Sequence, residues 1–257
     1  MTARKFRRDG CEKLDMTRWR SGGGLGSNDR SEITALVVMA IVTILLWHSP
    51  YGGYLLYPFT ILSTWFHEMG HGLAAMAFGH EFERLVIFPN GSGYAAHLSE
   101  GEPSRLSSAL IAAAGLLGPT FAGCALILSS RTRRATRNAL AVLGGVLLLS
   151  TLIWVRSLTG WLVLPAVGLV CLWLAFKAKP NQRHFTVQFL GVQGCISIYR
   201  DFGYLFSQGG ILGGRPQLSD TGHIAQALFL PYWFWGGLIT AIIVAMIYWS
   251  LRLAHSR

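Results

Sequence analysis

Long apolar runs separated by short polar breaks make up most of this chain. Six predominantly apolar runs are long enough to cross about 30 Å of hydrocarbon, and a seventh, 185–206, is interrupted by polar and charged residues. A soluble fold would have to bury all of these runs in one core. The pattern therefore predicts an all-α polytopic membrane protein with about six to seven transmembrane helices. The six runs lie near 33–49, 53–79, 106–129, 138–155, 157–176 and 227–251.

A short segment between the second and third runs has the pattern of a β-hairpin. Branched and aromatic residues in 84–97 flank the sequence Pro-Asn-Gly-Ser-Gly at 89–93. Such a cluster favours a turn, and the residues on either side favour strands. We therefore expect a small β-hairpin between the second and third spans.

The chain loses its regular pattern after residue 206. Glycine and proline predict irregular structure until about Leu218, where Ser219 or Asp220 can begin a helix as its N-cap. A helix from 220 to 250 would be about 46 Å long, too long for one straight span. Pro231 and the Gly236-Gly237 pair are the expected breaks.

Composition and charge support a membrane protein. Hydrophobic residues make up 52% of the chain and charged residues 13%, whereas soluble domains contain about 25% charged residues. The net charge of +10 comes from basic clusters in the N-terminal tail, in 131–137 and in 177–183. Because these clusters flank apolar runs, we expect them to meet anionic lipid at the membrane surface and not nucleic acid.

The same composition divides the chain into two parts. Residues 1–30 are charged and rich in glycine and serine, which predicts a flexible basic tail. Residues 31–257 are predicted to form one multi-span membrane domain. We expect a multi-pass integral protein of the cell membrane, with the lipid bilayer as a partner.

Three polar residues stand in the middle of the second apolar run, where a charged side chain costs about 2.5–3.5 kcal/mol. His67 and His71 are four residues apart, so on a helix both imidazoles project from one face. That spacing lets both bind one metal ion at about 2.0–2.1 Å. Glu68 can reach a water on that metal without being a ligand, as in the HExxH motif. The alternative is a structural polar cluster of buried histidines.

A catalytic zinc site needs a third protein ligand, and few carboxylates are available for it. The chain has five aspartates, and Asp9, Asp15 and Asp29 lie in the tail. Asp201 and Asp220 remain. Asp220 has the better context because it follows a glycine-rich segment and opens a helix, whereas Asp201 stands beside Arg200.

Several of these segments resemble the site-2 protease family of intramembrane zinc metalloproteases. The sequence FHEMGHG at 66–72 resembles the FHExGH segment of that family, and LSDTG at 218–222 resembles its later aspartate motif. AGLLGP at 114–119 is similar to the Gly-Pro element of its third span. The chain lacks an Asn-Pro-x-Pro-like run and a PDZ-like insert, so it is more similar to a short, divergent multi-span branch.

The resemblance implies a ligand set and a reaction. Carried over residue by residue, it implies that His67, His71 and Asp220 bind Zn²⁺ and that Glu68 is the catalytic base. It further implies a metalloendopeptidase that hydrolyses a peptide bond of a membrane-embedded or membrane-proximal protein substrate. The alternatives are a catalytically inactive membrane scaffold and a transporter-like protein with Asp220 at a midplane site. The intact Glu68 argues against the scaffold, and the lack of an internal repeat argues against the transporter.

Overall fold

The computed structural model describes residues 27–99, 101, 104–212 and 215–255. Within them the chain forms nine helices and two antiparallel β-hairpins. The predicted flexible tail, 1–30, lies outside the described residues except for 27–30, which open the first helix. The elements are α1 (Ser27–Trp47), α2 (Gly52–Ala77), β1 (Glu81–Ile87), β2 (Gly93–Leu98), α3 (Arg105–Ser129), α4 (Arg133–Ile153), α5 (Leu158–Lys177), α6 (Pro180–Arg200), α7 (Phe202–Leu205), β3 (Gly209–Leu212), β4 (Arg215–Leu218), α8 (Asp220–Leu228) and α9 (Tyr232–His255).

Serine or threonine side chains begin four of these helices. Each hydroxyl accepts a hydrogen bond from the backbone N–H three residues further along, which satisfies one of the free donors at a helix start. The sequence offers Ser219 or Asp220 as the N-cap of α8, and Ser219 is the N-cap. These four N-cap residues are Ser104, Thr132, Ser157 and Ser219.

Helix α3 lies at the centre of the bundle and contacts α2, α6, α8 and α9. Glycines let α2 and α3 approach closely: a Cβ added at Gly70 would overlap the Ala114 carbonyl, and one added at Gly118 would overlap that of Phe66. Small residues serve this purpose at helix interfaces in membranes. The close approach places the HEMGH turn of α2 directly against α3.

The hairpin predicted between the second and third spans is confirmed. Strands β1 and β2 pair antiparallel, with Ile87 opposite Gly93, and Gly91 at the turn has the positive φ of 86° that glycine tolerates best. Leu85 is fully buried and exchanges backbone hydrogen bonds with the loop between α4 and α5, through Trp154 and Arg156, both at 2.8 Å. The hairpin is thereby fixed to the helical bundle beside α2.

Fewer helices among the described residues are long and apolar enough to span a membrane than the sequence predicts. Among the described residues, α3, α4, α5 and α9 are long and apolar enough to cross a membrane. Helices α1 and α2 pass this test only together, as a pair bent by 117°, which brings the number to five if the pair is one span. Helix α6, the uncertain run 185–206, does not pass because its glutamines and charged residues lower its hydropathy. The predicted six to seven spans are therefore not confirmed.

The segment before Asp220 differs from the prediction of irregular structure. Strands β3 and β4 form a second hairpin, in which Gly209 lies opposite Leu218 and Ile211 opposite Pro216. Proline is tolerated here because each strand of a two-stranded ribbon has a free edge.

The predicted break between α8 and α9 occurs at Phe229–Pro231, as expected from Pro231. The break predicted at Gly236-Gly237 is wrong, since both residues lie inside α9. A Cβ at Gly236 would lie 2.8 Å from the Leu205 carbonyl, so this glycine provides room for packing.

Candidate metal centre

His67 and His71 lie one turn apart on the same face of α2, as their spacing predicts. Their ring centroids are 4.7 Å apart and their Nε2 atoms 3.0 Å apart. Two nitrogens approach this closely when both face one electrophile or share one proton. The helix therefore directs both imidazoles towards a common point.

The orientation of His71 is fixed by α3. Its Nδ1 lies 2.9 Å from the backbone oxygen of Ile111, and because a carbonyl can only accept, Nδ1 carries the proton and donates it. This tautomer leaves a lone pair on Nε2, the arrangement found for histidines that bind metals. Gly115 makes room for the ring, since any side chain at this position would overlap the imidazole.

Asp220 completes the cluster from the first turn of α8. Its Oδ2 lies 3.0 Å from Nε2 of His67, and its Oδ1 lies 3.3 Å from Nε2 of His71. The hydroxyl of Ser219 accepts a hydrogen bond from the Gly222 N–H and donates one to the Ser207 carbonyl. These bonds tie the start of α8 to the chain before β3 and so fix the position of the carboxylate.

The geometry of this cluster fits a metal ion. One nitrogen from each histidine and one oxygen of Asp220 lie within 4.8 Å of one another. Tetrahedral ligands at about 2.0–2.1 Å from a metal are about 3.3 Å apart, close to the distances seen here. The Oδ2 atom of Asp220 is buried. Apart from its 3.0 Å contact with Nε2 of His67, it has no hydrogen-bond partner among the described residues. A buried carboxylate oxygen of this kind costs free energy unless a cation or proton satisfies it.

Glu68 lies beside this group but does not belong to it. The side chain is 5% exposed, and its carboxylate accepts a hydrogen bond from the backbone N–H of Ala95 in β2. Gly93 on the same strand leaves no room for a side chain, since an added Cβ would lie 2.9 Å from both Cγ2 of Thr64 and the Val86 carbonyl oxygen, and 3.2 Å from Cγ of Glu68. The hairpin thus holds a second carboxylate next to the three possible ligands, within electrostatic range of all of them.

The structure separates the two aspartates that the sequence left open. Asp201 forms an ion pair with the neighbouring Arg200, with its Oδ1 2.9 Å from Nε, and it is absent from the metal-binding group of the described residues. Asp220 is the aspartate that the structure brings to His67 and His71. All four residues predicted for the site therefore lie together.

Tyr204 also lies at the site, although nothing in the sequence pointed to it. Its hydroxyl oxygen accepts a hydrogen bond from the backbone N–H of Asp220, at 3.2 Å. A single tyrosine in an apolar segment has no spacing that indicates a function. Only the folding of α7 against the start of α8 reveals its position.

A pair of histidines lies at the edge of the hairpin. His97 on β2 stacks on His80, with ring centroids 5.3 Å apart and an angle of 24° between the rings. Partial burial, with a smaller contribution from the positive charge that His80 can carry, lowers the pKa of His97 below its usual value of 6.5. The uncharged form of His97 is therefore favoured.

Comparison with protein families identifies the chain. A model of the Peptidase M50B-like family matches residues 35–250, which include both the HEMGH turn and Asp220. The chain belongs to the Peptidase M50B-like family. This membership confirms the resemblance to site-2 proteases. Comparisons with curated proteins and with solved structures give no significant match.

Membership in the family gives this M50B-like chain a general function. The family is one of peptidases, and the chain is therefore assigned to the protein-hydrolysing enzymes. Its apolar helices agree with an integral membrane protein. The group formed by His67, His71 and Asp220 is the place where the M50B-like chain could hold a metal ion.

Proposed function

We propose that this M50B-like protein is an intramembrane zinc metalloendopeptidase of the cell membrane. In this proposal His67, His71 and Asp220 hold the zinc ion, and Glu68 is the general base. The observation that carries it is the convergence of two imidazoles and one carboxylate from distant segments, with a second, non-ligating carboxylate beside them. Two histidines and one acidic residue are a ligand set that catalytic zinc sites use.

Zinc bound here would act as a Lewis acid on the substrate carbonyl and lower the pKa of a bound water to about 7. Glu68 takes one proton from the attacking water as the new C–O bond forms. It then delivers this proton to the peptide nitrogen as the C–N bond breaks, which releases an amine and a carboxylic acid, and the acid loses its remaining proton to water. The hydrogen bond from Ala95 keeps the Glu68 carboxylate in place while the proton moves.

The proposed substrate is a membrane-embedded or membrane-proximal protein. An α-helix uses its carbonyl groups in its own hydrogen bonds, so a helical substrate must unwind locally before water can attack. A site between α2, α3 and α8 excludes most solvent, because Glu68 and Asp220 are both buried. We therefore expect extended or partly unwound segments to be cleaved faster than intact helices.

Zinc content and hydrolysis together test this proposal. Elemental analysis of the detergent-purified protein should give close to one zinc per chain, and His71→Ala and Asp220→Ala should both lose it. Glu68→Gln should keep the zinc and lose hydrolysis of fluorescein-labelled casein, an unfolded probe with exposed carbonyls. It is the matched control, because it changes the base without removing a ligand.

Each result distinguishes among the possible functions. Wild-type protein without zinc would leave the cluster as a structural one and refute the proposal. Zinc retained in Asp220→Ala would also refute the ligand set. Zinc binding without any hydrolysis that depends on Glu68 would favour the inactive scaffold or a transporter-like protein instead.

A further inference from the structure

Tyr204 is fixed at the edge of the metal centre by hydrogen bonds that join α7 and the residues after it to the start of α8. The hydroxyl of Thr221 donates to the Leu205 carbonyl at 3.0 Å, and the Ser219 N–H donates to the Gln208 carbonyl at the same distance. The segment that carries Tyr204 therefore keeps its position relative to Asp220. Its place beside the metal ligand follows from this pairing of backbone segments.

The hydroxyl group of Tyr204 can accept one hydrogen bond and donate another. Its oxygen accepts the N–H of Asp220 at 3.2 Å, and its proton is directed to the Asp220 carboxylate. The hydroxyl lies within electrostatic range of the carboxylates of both Asp220 and Glu68. Once the Asp220 carboxylate binds a cation it is a weaker acceptor, and the proton can turn to another oxygen beside it.

Part of the Tyr204 side chain is exposed. The residue is 42% exposed, whereas Glu68 and Asp220 are 5% and 7% exposed. A group that is exposed on one side and reaches the ligands with its hydroxyl can contact a peptide that enters the site. A fixed donor at this place suits the oxygen of the peptide carbonyl, which becomes negative when water adds to the carbon.

We infer that Tyr204 donates a hydrogen bond to the carbonyl oxygen of the peptide bond being cleaved and stabilises its negative charge. The inference rests on the proposed zinc peptidase function and adds a catalytic residue to it. In this role Tyr204 acts with the metal ion on one oxygen, while Glu68 acts on the water. A tyrosine hydroxyl is neutral at pH 7 and is a good donor to a developing oxyanion.

Tyr204→Phe tests this role because it removes only the hydroxyl. Tyr199→Phe is the matched control, since its hydroxyl lies 3.1 Å from Nε2 of His48, away from the metal centre. The full-length protein is loaded with Co²⁺, whose visible absorption reports the ligand geometry and the binding of acetohydroxamate. This small compound binds metals through a carbonyl oxygen, so its affinity does not depend on the unknown substrate sequence.

Tyr204→Phe should keep its metal content and cobalt spectrum but bind acetohydroxamate about tenfold to a hundredfold more weakly. With zinc, its kcat on labelled casein should fall about a hundredfold at unchanged KM, and Tyr199→Phe should match the wild type. Wild-type affinity and kcat in Tyr204→Phe would overturn the inference. Loss of metal in Tyr204→Phe would also overturn it and make Tyr204 a positioning residue for Asp220. A wild-type protein that binds no metal would refute the proposed function itself.

Discussion

Substituting Gly115 by alanine tests how the fold holds His71 with its Nε2 facing Asp220, the orientation that the proposed zinc site requires. Gly115 lies on α3 directly against the imidazole of His71, and three ring atoms would lie within 3.0 Å of an added Cβ. Real Cβ atoms do not approach other atoms this closely, so the ring or the helix must move. The carbonyl that orients the ring, that of Ile111, belongs to the same helix.

The size of the effect follows from the tolerance of a metal site. The ring must move by about 1 Å to reach an ordinary contact distance, whereas metal–ligand distances are kept within about 0.2 Å. The movement would also lengthen the 2.9 Å hydrogen bond from Nδ1 to Ile111. Loss of such an orienting bond alone weakens metal binding about tenfold to a hundredfold, or about 1.4–2.8 kcal/mol. We therefore expect Gly115→Ala to weaken zinc binding at least tenfold.

The assay is competition for zinc with a chelator of known affinity, on protein whose thermal unfolding in detergent is measured in parallel. Gly145→Ala on α4 is the control, because an added Cβ there meets nothing within 4 Å. Alanine should stabilise that helix by up to about 1 kcal/mol and leave zinc binding unchanged. If Gly115→Ala binds zinc as tightly as the wild type, the proposed packing of α3 against His71 is incorrect.

Two further predictions concern the surroundings of the site. Ser219→Ala removes the N-cap of α8 and should lower the free energy of unfolding by about 0.5–2 kcal/mol. Zinc binding should also weaken, because Asp220 directly follows this cap. Chemical denaturation measures the first effect and chelator competition the second, and unchanged values would contradict the role of the cap. His97 should titrate below pH 6.5, as its lowered pKa requires, which histidine NMR signals can follow. Its contribution to stability is present above pH 6.5 and is lost as the pH falls through the lowered pKa. A midpoint at or above 6.5 would contradict the partial desolvation of this ring beside His80.

The local parts of the structure could be predicted because neighbouring residues determine them. Helix geometry alone places His67 and His71 one turn apart, whatever the rest of the chain does. Ser219 begins α8 because its hydroxyl reaches an N–H of the same turn, and Pro231 ends the helical stretch because it has no N–H to donate. The first hairpin follows from the turn residues around Gly91 in the same way.

Other features depend on contacts between distant segments. The sequence left Asp201 and Asp220 as alternatives, and the choice between them depends on which one packs against α2. Tyr204 and the Ile111 carbonyl reach the site only because α7 and α3 lie beside it. No spacing in the chain encodes these distances.

The expectations that failed concern residues whose effect depends on what lies opposite them. Glycine in 208–218 predicted irregular chain, but the two strands pair because each supplies the other with backbone hydrogen bonds. Gly236 predicted a break, but it lies against the Leu205 carbonyl and continues the helix. The sequence by itself determined the HEMGH turn, the start of α8 and the membrane class, because their causes are local or compositional. Only the tertiary structure shows which aspartate lies beside His67 and His71 and that Tyr204 lies at the same site, because these contacts require segments far apart in the chain to meet.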